Sequence, residues 1–167
     1  FLKFPPRENS WRLLNRAEAF FRSDDQLMTG GLMMGLRGEH LLINPTGGDR
    51  FYLLPYAQGS GALHWKNDWF TVLAEMGLVP GVRFAGWSLR ADIGGVFELT
   101  PKSLSTAFGV SAGLYAEFPA QDNYQELTNR RSKSASLNRL GVQLREFPGQ
   151  NNHWIISLTF MTTGSTP

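Results

Sequence analysis

Cysteine is absent from all 167 residues. That removes disulfides, thiol nucleophiles and cysteine-based metal sites at once. Lysine is scarce, with 4 against 12 arginines. No apolar run approaches the roughly 18 residues that would mark a transmembrane helix. The net charge of +2 is too small to argue for a nucleic-acid partner. His40, His64 and His153 show no HExxH or paired-histidine spacing, so neither a metal nor another cofactor is expected. Gly30-Gly31 and Gly47-Gly48 are not phosphate loops, because no Lys-Ser/Thr follows them. Phe1 opens the sequence without a methionine or a signal peptide, so the chain is expected to be a processed or partial product.

What is present is a globular composition, 42% apolar, at the length of one domain. The four lysines, Lys3, Lys66, Lys102 and Lys133, fall in a terminus or in expected connections. Arginines and acidic residues sit inside the patterned stretches instead. Arginine is the better partner for a confined ion pair, since its planar fork meets a carboxylate with two hydrogen bonds.

The clearest pattern lies between Trp87 and Phe118. Trp87, Leu89, Ala91, Ile93, Gly95, Phe97 and Leu99 alternate with Ser88, Arg90, Asp92, Gly94, Val96 and Glu98. After a turn at residues 100–103 the alternation resumes through Phe108, Val110, Leu114 and Phe118. Period two is the signature of a strand, so this is a long hairpin. The same reading extends along the chain. Residues 11–22 alternate as a strand, although their spacing also fits a helix. Residues 26–43, 50–65 and 69–79 alternate too, with Met33 out of phase and a bulge or local distortion expected at Pro55. Pro80-Gly81 is read as the turn into the hairpin. Residues 134–146 and 153–161 supply two more strands. The organisation is an opening segment or linker over 1–10, a barrel over 11–161 and a polar tail over 162–167.

Three features place the apolar face against lipid. The polar face mixes charges with Gly, Ala and Ser, as a crowded barrel interior needs. Trp11, Trp65, Trp87 and Trp154 cluster toward strand ends, as interface aromatics do. The strands are long enough to cross a membrane at the usual tilt, for which about 9–11 residues suffice. Closing the sheet satisfies every backbone group without an edge.

The eight alternating strands, the missing cysteine, the scarce lysine and the last strand HWIISLTF ending on Phe160 resemble the small bacterial outer-membrane β-barrels. The final pattern is similar to the assembly signal of that class, with seven further residues after the aromatic. The stretch 69–118 also resembles barrel regions at the C-terminal end of larger outer-membrane proteins. The resemblance implies an all-β, eight-stranded antiparallel up-and-down transmembrane barrel in a bacterial outer membrane, in contact with lipid and lipopolysaccharide. With both termini periplasmic, the periplasmic connections would be 44–49, 79–82 and 119–131. The outer ones would be 23–25, 66–68, 100–103 and 147–152. The longer connections then face the periplasm, which points to a protein partner there or to a further domain.

Parity sends Arg12, Arg16, Glu18, Arg37, Glu39, Glu75, Arg90, Asp92, Glu117 and Arg139 inward. They read as a salt-bridged plug, the alternative being a narrow polar passage. Ser60 and His64 share the inward face with Glu75 on the next strand, a set that could serve acyl transfer or deacylation of lipid. No local motif of such enzymes accompanies it, and the set points away from lipid. Residues 129–133, NRRSK, are basic enough to touch lipid phosphates or a partner, or to be a solvated loop. The function expected is a non-catalytic anchor, scaffold or assembly component. A lipid-modifying enzyme and a soluble lipocalin-like barrel with the apolar face inside are the alternatives.

Overall fold

The structure, a computed structural model, describes residues 11–24, 28–40, 51–65, 70–84, 86–119, 137–149 and 152–163. Among them eight strands run in chain order: β1 (Trp11–Asp24), β2 (Met28–His40), β3 (Phe51–His64), β4 (Phe70–Phe84), β5 (Trp87–Thr100), β6 (Ser105–Pro119), β7 (Leu137–Phe147) and β8 (His153–Thr163). Each pairs antiparallel with its neighbour in sequence, and β8 pairs with β1. The sheet is a closed up-and-down barrel with no free edge.

The register fixes its girth. Stepping from partner to partner leads from Arg12 to Glu39, Tyr56, Gly77, Gly94, Ser111, Arg145 and Ile155, and returns to β1 at Arg22. The path comes back ten residues from where it began. With a rise of about 3.3 Å per residue and strands about 4.8 Å apart, eight strands at that shear tilt by about 40° and enclose a radius of about 8 Å to the backbone. That space is filled by side chains.

The period-two pattern decides which side chains fill it. Leu13, Phe21, Leu32, Met34, Met76, Ile93, Phe108, Leu140 and Leu158 stand exposed on the outside. Arg16, Glu18, Arg37, Glu39, Arg90 and Arg139 are buried inside. A water-soluble monomer rarely exposes more than a few hundred Å² of contiguous apolar surface, whereas here apolar side chains cover every strand. The soluble lipocalin-like alternative needs the opposite arrangement and is overturned. Residues 11–22, which fit a helix or a strand, are strand because both neighbours offer a ladder.

Three expectations need correction. Pro80-Gly81 is not a turn. β4 continues to Phe84, with Leu53 opposite Pro80 and Tyr52 opposite Gly81. Only the ladder to β5 lapses, between Leu78 and Gly81, where proline lacks the N–H. β5 begins only at Trp87, preceded by a turn at Gly86 with φ +87°, a region glycine enters without a Cβ clash. Pro55 makes no bulge against β4, since Leu54, Pro55 and Tyr56 face Val79, Leu78 and Gly77 in unbroken register. The expected tail begins late, because Thr162 and Thr163 still pair with Asn15 and Leu14. On the side where β1 begins and β8 finishes, the strands are joined by residues 41–50, 85–86 and 120–136. On the other side the connections are 25–27, 65–69, 101–104 and 148–152. The basic stretch 129–133 lies outside the described residues.

Candidate functional site: the charged barrel interior

Alternating strands deliver one inward side chain every second residue, so the interior is built in layers. Six arginines (Arg16, Arg22, Arg37, Arg90, Arg139, Arg145) and six carboxylates (Glu18, Glu39, Glu75, Asp92, Glu98, Glu117) are buried there. Their formal charges cancel. An unpaired charge in such surroundings would cost several kcal/mol, so the pairing of these twelve described groups favours the closed barrel.

The layer nearest the start of β1 centres on Glu39. Arg139 pairs with both oxygens of Glu39, at 2.7 Å to Oε2, and its Nε donates to Glu117 at 2.5 Å. Arg90 bridges the same two acids, at 3.3 Å to Glu39 and 2.7 Å to Glu117. Arg37 donates to Glu39 at 2.8 Å and grips Asp92 with both terminal nitrogens. The tyrosines lie against the cations: Arg37 over Tyr56 at 4.0 Å and Arg90 over Tyr52 at 4.8 Å. Gly81 makes room for that ring, since a Cβ there would lie 2.1 Å from Tyr52.

The middle layer centres on Arg145. Its Nε donates to Glu75 at 2.6 Å, and its two terminal nitrogens meet Glu18 at 3.0 and 3.1 Å. Ser157 donates to Glu18 at 2.5 Å, and Arg16 pairs with the same carboxylate at 2.6 Å. Gln143 joins Glu75 at 2.7 Å, accepts from Tyr115 at 2.9 Å and accepts from Arg16. Gln58 accepts from Arg16 and Arg37 and so links the two layers.

Beyond this lies an apolar layer of Phe20, Met33, Ala62, Leu73, Val96, Phe147 and Ile155. Met33, out of phase in the sequence, points inward and joins it. At the far end Arg22 donates to Glu98 at 2.8 Å, and His153 lies 3.2 Å from Glu98 while stacking on Phe147. The interior is thus two charged layers, an apolar septum and a small polar mouth.

Ser60, His64 and Glu75 all face inward, but they do not come together. Ser60 donates to the Met33 sulfur at 3.2 Å. His64 sits between Thr29 at 3.4 Å and Thr71 at 3.1 Å, edge-on to Phe20. Four residues of extended strand separate it from Ser60 by about 13 Å. Glu75 is engaged by Arg145 and Gln143. A nucleophile and its base need hydrogen-bond contact, and this geometry does not supply it.

Of the inward charges read from the sequence, Arg16, Glu18, Arg37, Glu39, Glu75, Arg90, Asp92, Glu117 and Arg139 are buried in this network. The side chains of Arg12 and Trp11 lie outside the described residues. Trp65, Trp87, Trp154 and Phe160 stand on the outer face, with Trp87 stacked on Phe84 at 4.4 Å. The sequence reading left Arg22, Glu98, Arg145 and His153 out of the network. The parity that selects Arg16, Arg90 and Arg139 selects these four as well.

The fold is shared with known bacterial barrels. Neisserial surface protein A superposes with a TM-score of 0.61 at 11% identity, over 95% of this chain and 98% of that one. Ail, the attachment invasion locus protein of Yersinia pestis, superposes with a TM-score of 0.52 at 8% identity, over 92% of this chain and 95% of that one. Identities this low speak for fold alone. No protein-family model matches the chain, and no curated protein matches it in sequence.

Proposed function

We propose that the chain is a non-catalytic barrel of a bacterial outer membrane that serves as an anchor, a scaffold or one component of a larger assembly. One observation carries this reading. The charge network draws side chains from all eight strands into a neutral plug, and an apolar septum closes what remains. Such an interior suits a rigid stave in a membrane better than a passage or a substrate cleft. Lipid and lipopolysaccharide are the partners of the outer face. The long connections 41–50 and 120–136 join strands at the end where β1 begins and β8 finishes, and a protein partner in the periplasm is the reading we attach to that end.

The test is the purified chain with and without detergent or vesicles, followed by far-UV circular dichroism and by gel mobility before and after heating. The expected result is a β spectrum and heat-modifiable mobility only with detergent or lipid present. A monodisperse β protein in plain buffer would sink the proposal.

A further inference from the structure

The apolar outer belt is not the same height all the way round. On β4, every outward residue from Phe70 to Phe84 is apolar or proline across a strand of 15 residues. At an axial rise of about 2.5 Å per residue, after a tilt of about 40°, that run is about 35 Å tall. β3 and β5 are equally unbroken from end to end, with only glycines, and Pro55 on β3, between the apolar side chains.

The opposite wall is different. On β7 the outward residues are Asn138, Leu140, Val142, Leu144 and Glu146. The apolar part is bounded by a polar group at each end, and the two bounds are about 20 Å apart on the same scale. On β8 the run from Trp154 to Phe160 stops at Thr162. On β1 the outward run is interrupted by Asn15, and register sets Asn15 and Asn138 on either side of Thr162. Glu146 is exposed, and no other outward strand residue among those described carries a formal charge.

The contrast is sharp between adjacent strands. Asn138 pairs with Phe118 and Glu146 pairs with Val110. Both β6 residues are exposed and apolar, and Phe108, two residues further along β6, is too. The polar bounds of β7 therefore lie beside exposed apolar positions of the neighbouring strand.

A typical hydrocarbon core is about 30 Å thick. The tall wall matches it, and the short wall falls about 10 Å short. A short belt is met by bilayer thinning, by snorkelling or by association. Asparagine, threonine and glutamate have no long apolar stem with which to snorkel. We infer that the wall formed by β7, β8 and β1 holds a locally thinned annulus of lipid, so that the barrel sits in a bilayer of uneven thickness. This rests on the membrane-spanning reading above.

The chain has no native cysteine, so single nitroxide labels can be placed cleanly. Four labelled variants, Asn138→Cys, Phe118→Cys, Glu146→Cys and Val110→Cys, would be reconstituted in dioleoylphosphatidylcholine vesicles and checked for heat-modifiable mobility. Collision rates with a water-soluble nickel chelate and with oxygen then report depth. The expected result is a nickel collision rate several-fold higher at 138 than at 118, and likewise at 146 than at 110, with oxygen reversed. A split at only one end means a tilted barrel and overturns the inference. All four labels deep in hydrocarbon overturn it while leaving the membrane reading intact. Labels at 138 and 146 shielded from both reagents would show a protein surface covering this wall, which also overturns it. Four labels freely open to the chelate would sink the membrane reading itself.

Discussion

Arg145 on β7 reaches past β8 and meets Glu18 on β1 with both terminal nitrogens, at 3.0 and 3.1 Å. The pair spans the seam where the last strand closes on the first. Arg145 holds Glu75 on the far wall with its Nε, so one guanidinium ties three strands across the bore.

Arg145→Met leaves Glu18 and Glu75 without their main counter-charge in a buried layer. The expected loss is about 3–5 kcal/mol, the usual cost of breaking one side of a buried pair. Urea unfolding of the vesicle-inserted protein, followed by tryptophan fluorescence, measures it. A loss below about 1 kcal/mol would mean that water already solvates the layer.

The septum predicts electrical silence. Wild-type protein in planar bilayers is expected to show no stepwise conductance, because Phe20, Leu73, Phe147 and Ile155 close the bore above the charged layers. Leu73→Ser introduces a hydroxyl into that layer and is expected to raise ion flux from loaded vesicles. Stepwise openings of the wild type would favour the polar-passage reading.

His64 is expected to matter for packing alone. His64→Ala removes its contacts with Thr29 and Thr71, at a cost of about 1–2 kcal/mol. Mass spectra of lipid A from cells producing wild type or His64→Ala should be identical. A change in acylation that depends on His64 would revive the lipid-modifying reading.

Gly81→Ala tests the cradle under Tyr52. The added methyl would meet the ring, displace it from Arg90 and cost about 1–3 kcal/mol, as overpacking does. Adding Tyr52→Ala should recover part of that loss, since neighbours in contact are not additive. Full additivity in the four-member thermal-melting cycle would show that the two positions do not touch.

Much of this architecture was legible because a barrel strand obeys one rule along its whole length. Alternation named the strands, their inner and outer faces, and nine of the buried charges. It failed where local chemistry imitates a turn. Pro80-Gly81 has turn composition, yet the ladder lapses here only on the β5 side, and glycine is present to admit the Tyr52 ring. The pairing of charges was not legible at all. Which arginine meets which acid depends on the ten-residue shear, and no local pattern carries that quantity. Ser60 and His64 share a face without meeting for a related reason, because four extended residues intervene.

The seam also sets the order in which the molecule can be made. Glu18 waits for Arg145, 127 residues later, and for Ser157, 139 residues later. Until β7 and β8 are in place, the carboxylate on β1 has no seam partner, and closing so long a loop is slow. Arg16 lies beside that carboxylate on β1 from the start, but among the described residues β1 to β6 bury six carboxylates against four arginines, so a nascent barrel carries unneutralised charge on its would-be inner wall. Hydrocarbon rejects that wall until the final strand arrives, so insertion and closure are expected to occur as one event.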